Sequence, residues 1–396
     1  MKYQRVQIDA IGYELAPVII TTQELEGRLQ PLYQRLHIAQ GQLEALTGII
    51  ERRWWEPGYR LSDGAAAAAR KAVAGSNVQP NDIDVLIYGG VCREQFEPAT
   101  ACHVAALLGV NPGAAVYDVS NACLGMLNGM VDIANRIELG QIRAGLVVSC
   151  ESAREITEIM IERMLQNQDM EVFKTSLATL TGGSGAAAIL LTDGSFGAAR
   201  PHRLVGGVTQ TAPEYHDFCR WGIEAVLPSA IVQQVDKLLS TAMGQKVEAL
   251  LMTALTQKVQ DVLPSVVAKQ LATLLPPSVY TQFMATDSIS VLKYGVELGL
   301  RTWTNFLRKL GWMSDQVDKV ICHQVGSSHR DAILKSLAIA PEKDFTTFDY
   351  LGNIGTVSLP LTAALAEERE FLQPGNRVGF LGIGSGLNCL MLGLEW

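Results

Sequence analysis

The sequence contains no C-x-x-C pair: its seven cysteines stand singly at 92, 102, 123, 150, 219, 322 and 389, mostly in apolar surroundings. That spacing argues against a structural zinc site and against a disulfide framework, and it fits a reduced, cytosolic chain. Clustered lysine and arginine are missing too, and 32 basic against 40 acidic residues leave a net charge of -8, which argues against nucleic acid as the main partner. No run reaches the roughly 18 apolar residues that a membrane span needs, and residues 1–10 lack the apolar core of a secretory signal. Apolar residues are plentiful, at 48% of 396 positions, enough for two cores or one duplicated unit.

Strand and helix patterns alternate along the chain. A strand is expected at 6–11, and 48–55 reads as a surface turn where Arg52, Arg53 and Trp54 could hold a nucleotide-bearing thioester or form a solvated rim. Ser62 and Asp63 would cap an alanine-rich helix over 64–74, and the nearly all-apolar strand over 82–91 belongs in a sheet covered on both faces. A helix opening at 97–100, a strand at 114–119, a helix beyond Cys123 and a strand at 145–149 follow. The class is α/β.

Two stretches resemble each other. Residues 84–91 align without gaps on 318–325, Tyr117-Asp118 recurs as Phe348-Asp349, and Gly183-Ser184-Gly185 before an apolar strand recurs as Gly384-Ser385-Gly386. Two similar halves, 1–204 and 205–396, are therefore expected. A region of sparse charge at about 227–283, divided by Pro228, Gly244, Pro264 and Pro276-Pro277, reads as an inserted group of about three short helices.

Four positions could carry chemistry. Cys123 follows a strand and precedes a periodic apolar run; Asp118, Ser120 or Asn121 could cap that helix, and a thiolate at its positive end would titrate low, although most cysteines are inert core residues. His323 ends a strand, where ligands bind in open α/β sheets. Asn353 lies between glycines, either to bring an amide against a ligand or to tolerate left-handed backbone. Ser385 lies in a glycine-rich turn whose N–H groups could face an oxyanion.

Asn121-Ala122-Cys123, Ile321-Cys322-His323-Gln324, Gly352-Asn353-Ile354-Gly355 and Gly382-Ile383-Gly384-Ser385-Gly386, in this order, resemble the thiolase superfamily in its ketoacyl synthase III-like branch. With Phe96-Glu97-Pro98-Ala99-Thr100, the likeness is to the OleA family, which condenses two long-chain acyl-CoA molecules head to head in bacterial olefin biosynthesis. It covers nearly the whole chain except the insert. It implies a duplicated, five-layered αβαβα fold, a homodimer, a Cys123–His323–Asn353 site without metal or cofactor, and an oxyanion hole from the N–H groups of Cys123 and Ser385. CoA thioesters would be substrates.

Glu97 distinguishes the possible chemistries. On its own it reads as a first-turn helical glutamate beside Pro98. The resemblance makes it the base that removes an α-proton in the partner subunit's site, giving a 2-alkyl-3-oxoacyl product and then a β-keto acid. The alternatives are a decarboxylating ketoacyl-ACP synthase III that primes fatty acid or polyketide synthesis, and a catalytically silent partner subunit. The insert could be a lid, a docking surface for downstream pathway enzymes, a membrane contact or a plain excursion. Acyl chain length and the final pathway product stay open.

Overall fold

A computed structural model describes residues 1–226 and 279–396. The expected inserted helices fall, over 227–278, outside the described residues. At 279–283 the chain is strand rather than helix. Residues Trp221–Phe283 form a compact unit of their own, in which Trp221 Nε1 donates to Gln282 Oε1.

The described strands are β1 (Gln7–Leu15), β2 (Val18–Thr21), β3 (Glu51–Trp54), β4 (Val85–Gly89), β5 (Ala115–Val119), β6 (Ala144–Glu151), β7 (Gly185–Thr192) and β8 (His202–Thr211), then β9 (Cys219–Val226), β10 (Val279–Thr286), β11 (Lys319–Cys322), β12 (Arg377–Gly384) and β13 (Asn388–Glu395), with helices between them. Nine strands run in the order β11-β12-β13-β8-β1-β7-β6-β4-β5. Strands β4, β5 and β6 are mutually parallel, as are β11 and β12, and the others pair antiparallel. The two half-sheets meet between β1 and β8 through Gln7↔Arg203 and Ile8↔His202. Residues 193–201 connect β7 to β8, just ahead of the expected boundary at 204/205.

Apolar patterning sets the layers. Helices Gly125–Glu138 and Ser358–Glu368 share one core with strands of both halves, through Met126, Met130, Leu361 and Ala366 among others. The alanine face of Leu61–Ala74, with Thr100–Leu108, covers the outside of the first half. Ser288–Leu310 and Ser327–Leu337 cover the second. This is the expected αβαβα arrangement.

The duplication extends to individual hydrogen bonds. Asp84, before β4, accepts the N–H of Arg143 at 2.8 Å, and Asp318, before β11, accepts the N–H of Arg377 at the same 2.8 Å. Strands β7 and β13 are likewise counterparts, each antiparallel to the strand before it. The third correspondence fails: Tyr117-Asp118 is strand, Phe348-Asp349 opens a short helix, and the only contact equivalent to β5 among the described residues is the bridge Val320↔Asp344. A second correction concerns the alanine-rich helix. Its N-cap is Arg60 without a side-chain cap bond, and the Ser62 hydroxyl donates to Glu94 at 2.8 Å instead.

Candidate active site

Helix Gly125–Glu138 begins two residues after Cys123, with Leu124 at its N-cap and no side-chain cap. Asp118 does not cap it. Its carboxylate accepts the N–H groups of Thr100 and Ala101, both at 2.9 Å, and so starts the neighbouring helix. Asn121 instead joins an amide relay: Asn388 Nδ2 donates to Asn121 Oδ1 at 3.1 Å, and Asn121 Nδ2 donates to Asn128 Oδ1 at 2.8 Å. Met126 N–H, in the first turn, donates to Thr356 Oγ1 of the second half at 2.8 Å.

Glycines allow this approach. A Cβ at Gly125 would lie 2.8 Å from the carbonyl carbon of Gly89 and 2.9 Å from its oxygen, so the helix rests directly on the end of β4. Gly125→Ala is expected to lower stability by about 3 kcal/mol in urea unfolding, because backbone atoms cannot rotate out of the way. On the other side, a Cβ at Gly384 would lie 3.4 Å from Cys123 N, which sets the Ser385 turn beside the Cys123 amide.

The expected low-titrating thiolate is not found. Burial, then Cys219 and then the carboxylate of Glu151, push the Cys123 thiol up to about 12. The positive end of the helix is partly spent, since the N–H groups of Gly125 and Met126 already have acceptors in Ala122 O and Thr356. The resting residue is a thiol.

His323 directly follows β11 and extends its pairing, its N–H donating to Leu381 O at 3.0 Å. Nδ1 is buried and has no partner among the described residues. Burial, reinforced by His329, lowers the imidazole to about 4, so it is neutral at physiological pH. The repeat explains why the histidine lies in this half: its counterpart is Gly89, where the backbone of Gly125 leaves no room for a side chain.

Asn353 is clamped on three sides. Its N–H donates to Thr181 O at 2.9 Å, its carbonyl accepts from Gly183 at 2.9 Å, and its Oδ1 accepts from Gly355 N–H at 3.0 Å. The anchored Oδ1 leaves Nδ2 to donate elsewhere. Left-handed backbone occurs at Gly352 (φ 69°) and Gly355 (φ 55°) and not at Asn353, so tolerance of that geometry does not explain the asparagine.

The other candidates lie elsewhere. Arg52 and Trp54 are not on a surface turn: they belong to β3 and are buried, at 0% and 1% exposure. Arg52 donates to Thr22 Oγ1 and Leu180 O, and Trp54 Nε1 donates to Gly182 O, so they brace the segment that holds Asn353 rather than face a ligand. Arg53 is half-buried, with Nη1 donating to Ala16 O at 3.4 Å. Glu97 is not in a helix. It stands exposed on the loop before Thr100–Leu108, beside Phe96, which is 91% exposed. Spacing alone gave no signal for Thr356, Asn388 or Glu151, whose partners are remote in sequence.

Residues 58–191 match the thiolase N-terminal domain, and 307–396 match the C-terminal domain of 3-oxoacyl-[acyl-carrier-protein (ACP)] synthase III. An acyl-CoA:acyl-CoA alkyltransferase from Shewanella oneidensis is 50% identical over 398 residues, covering 100% of each chain. The chain belongs to the thiolase superfamily, in its OleA family. A protein of the same name from Xanthomonas campestris is 33% identical, again over 100% of each chain. The crystal structure of cerulenin-bound Xanthomonas campestris OleA superposes with a TM-score of 0.82 at 33% identity, covering 100% of this chain and 98% of that one. Membership of the OleA family makes the chain an acyltransferase among the condensing enzymes. Among the described residues no helix is long and apolar enough to cross a membrane.

Proposed function

We propose that the protein condenses two fatty acyl-CoA molecules without decarboxylation, through an acyl-Cys123 intermediate, to a 2-alkyl-3-oxoacyl product. The observation that carries this reading is the full-length match to two acyl-CoA:acyl-CoA alkyltransferases. Solved forms of Xanthomonas campestris OleA add support, since they include cysteine, glutamate and histidine variants and one with bound lauric acid and lauroyl-CoA.

In the first half-reaction, Cys123 Sγ attacks the thioester carbonyl while neutral His323 takes the thiol proton. The N–H groups of Cys123 and Ser385 hold the oxyanion; its collapse breaks the bond to the CoA sulfur, which leaves with the proton from His323. In the second, Glu97 removes an α-proton from the next acyl-CoA, and His323 and Asn353 Nδ2 donate to the enolate oxygen. The α-carbon attacks the acyl-Cys123 carbonyl, a carbon–carbon bond forms, and the Cys123 sulfur leaves as the thiolate and takes up the equivalent of the proton that Glu97 removed, restoring both groups. Water then releases CoA and a β-keto acid.

Glu97 is exposed beside an exposed phenylalanine, a placement suited to serving another copy of the chain. The working unit is thus a homodimer in which each loop completes the partner's site. Purified protein given myristoyl-CoA alone is expected to release CoA and form a long-chain β-keto acid or its ketone, measured by mass spectrometry. A requirement for malonyl-ACP would replace this reading with a priming synthase.

A further inference from the structure

Glu151 ends β6 at 4% exposure, and none of the steps above uses it. One carboxylate oxygen, Oε1, accepts Val91 N–H at 2.9 Å, and the other, Oε2, accepts Cys92 N–H at 3.0 Å. These amides begin the loop that leads from β4 to Glu97. The Asn353 turn packs against the same carboxylate: a Cβ at Gly355 would lie 3.5 Å from Glu151 Cδ, and Gly355 N–H is the donor that anchors Asn353 Oδ1. Gly90 closes the third side, where a Cβ would lie 3.3 Å from Oε1.

Keeping a carboxylate here is costly. Burial raises Glu151 above the usual range, opposed by its bonds from Cys92 and Val91. Two successive amides need two acceptors in fixed geometry, which a carboxylate supplies and a primary amide does not. A glutamine would turn an NH2 donor toward one of the two N–H groups.

We propose that Glu151 is a positioning residue for the second half-reaction, fixing the loop that carries Glu97 to the turn that carries Asn353 while leaving acyl transfer to Cys123 alone. This rests on the reading of Glu97 as the α-proton base. In the homodimer, Glu151 ties one subunit's own Asn353 to the loop which that subunit lends its partner, so the two sites are set from a single buried group.

The test compares Glu151→Gln and Glu151→Asp with the wild type and with Glu97→Ala, all full-length. CoA released in a single turnover of myristoyl-CoA measures loading of Cys123 and also reports a folded site. Product formation, and exchange of the α-hydrogen with D2O, measure the second half-reaction. Both Glu151 variants should load within about twofold of wild type, with unchanged KM for loading, yet condense and exchange at least about tenfold more slowly. The Gln variant should also be alkylated at Cys123 at a pH no higher than wild type, since a negative charge near the thiol has gone. Condensation within twofold of wild type would overturn the proposal. So would equal losses in both half-reactions, or failure of both variants to load. If Glu97→Ala condensed normally, the assignment of Glu97 would fall; if it stalled while the Glu151 variants did not, only the role of Glu151 would fall.

Discussion

Glu97→Ala will load Cys123 at close to the wild-type rate and then stall, with condensation reduced by about 10³-fold, within the range for losing a positioned base. The two half-reactions separate because their groups do. In the proposed mechanism loading uses Cys123, His323 and the Ser385 turn, at the helix start and the ends of β11 and β12, whereas Glu97 stands on an exposed loop. Single-turnover CoA release, followed by product analysis, reads both steps from one sample. Glu97→Gln should behave alike, because the side-chain shape survives while the proton acceptor does not. If the Ala variant condensed at wild-type rate, the α-proton would have to leave through another group.

The second large effect concerns His323 and pH. Because burial holds this imidazole at about 4, it stays available as a proton acceptor well below the usual histidine range. The sign follows directly: the neutral form is the competent one, so loading should hold its rate from pH 8 down to about 5 and fall as the pH nears 4. An ordinary histidine would place that fall near pH 6.5. His323→Ala should slow loading by about 10²-fold to 10⁴-fold and remove the acid limb. Stopped-flow measurement of CoA release across the pH range checks both, and an acid limb near 6.5 in the wild type would count against a buried imidazole as acceptor.

The duplication was legible wherever the two copies keep the same task. Asp84 and Asp318 each hold one amide before the counterpart strand, and identical tasks keep identical residues. Tyr117-Asp118 and Phe348-Asp349 look alike only as letters. Asp118 serves a helix start fixed by its fold neighbours, and the second half has a single bridge where β5 would be. Cys123, His323 and Asn353 stood out because their types and order resemble a family, whereas local spacing misjudged their surroundings. A cysteine after a capping sequence suggests a thiolate, but the thiol's burial and the bond from Met126 to Thr356, 230 positions away in sequence, decide otherwise. The Arg-Arg-Trp run was misplaced for a similar reason. Charge suggested a rim, while the carbonyls awaiting Arg52 and Trp54, 128 residues along the chain, were invisible. Glu151 closes an eight-residue strand that is buried throughout, a place where a charge normally marks the return to solvent.

The thiol of Cys123, held up to about 12, also shapes how the enzyme survives between turnovers. At pH 7 a thiol held that high rests protonated. Peroxide and alkylating metabolites react with thiolates, so a protonated Cys123 is the poorer target. In the proposed mechanism a bound thioester changes this, since neutral His323 takes the proton as the carbon–sulfur bond forms. Reactivity is thereby confined to the moments when the cognate carbonyl is present, and the sulfur is spared in the intervals.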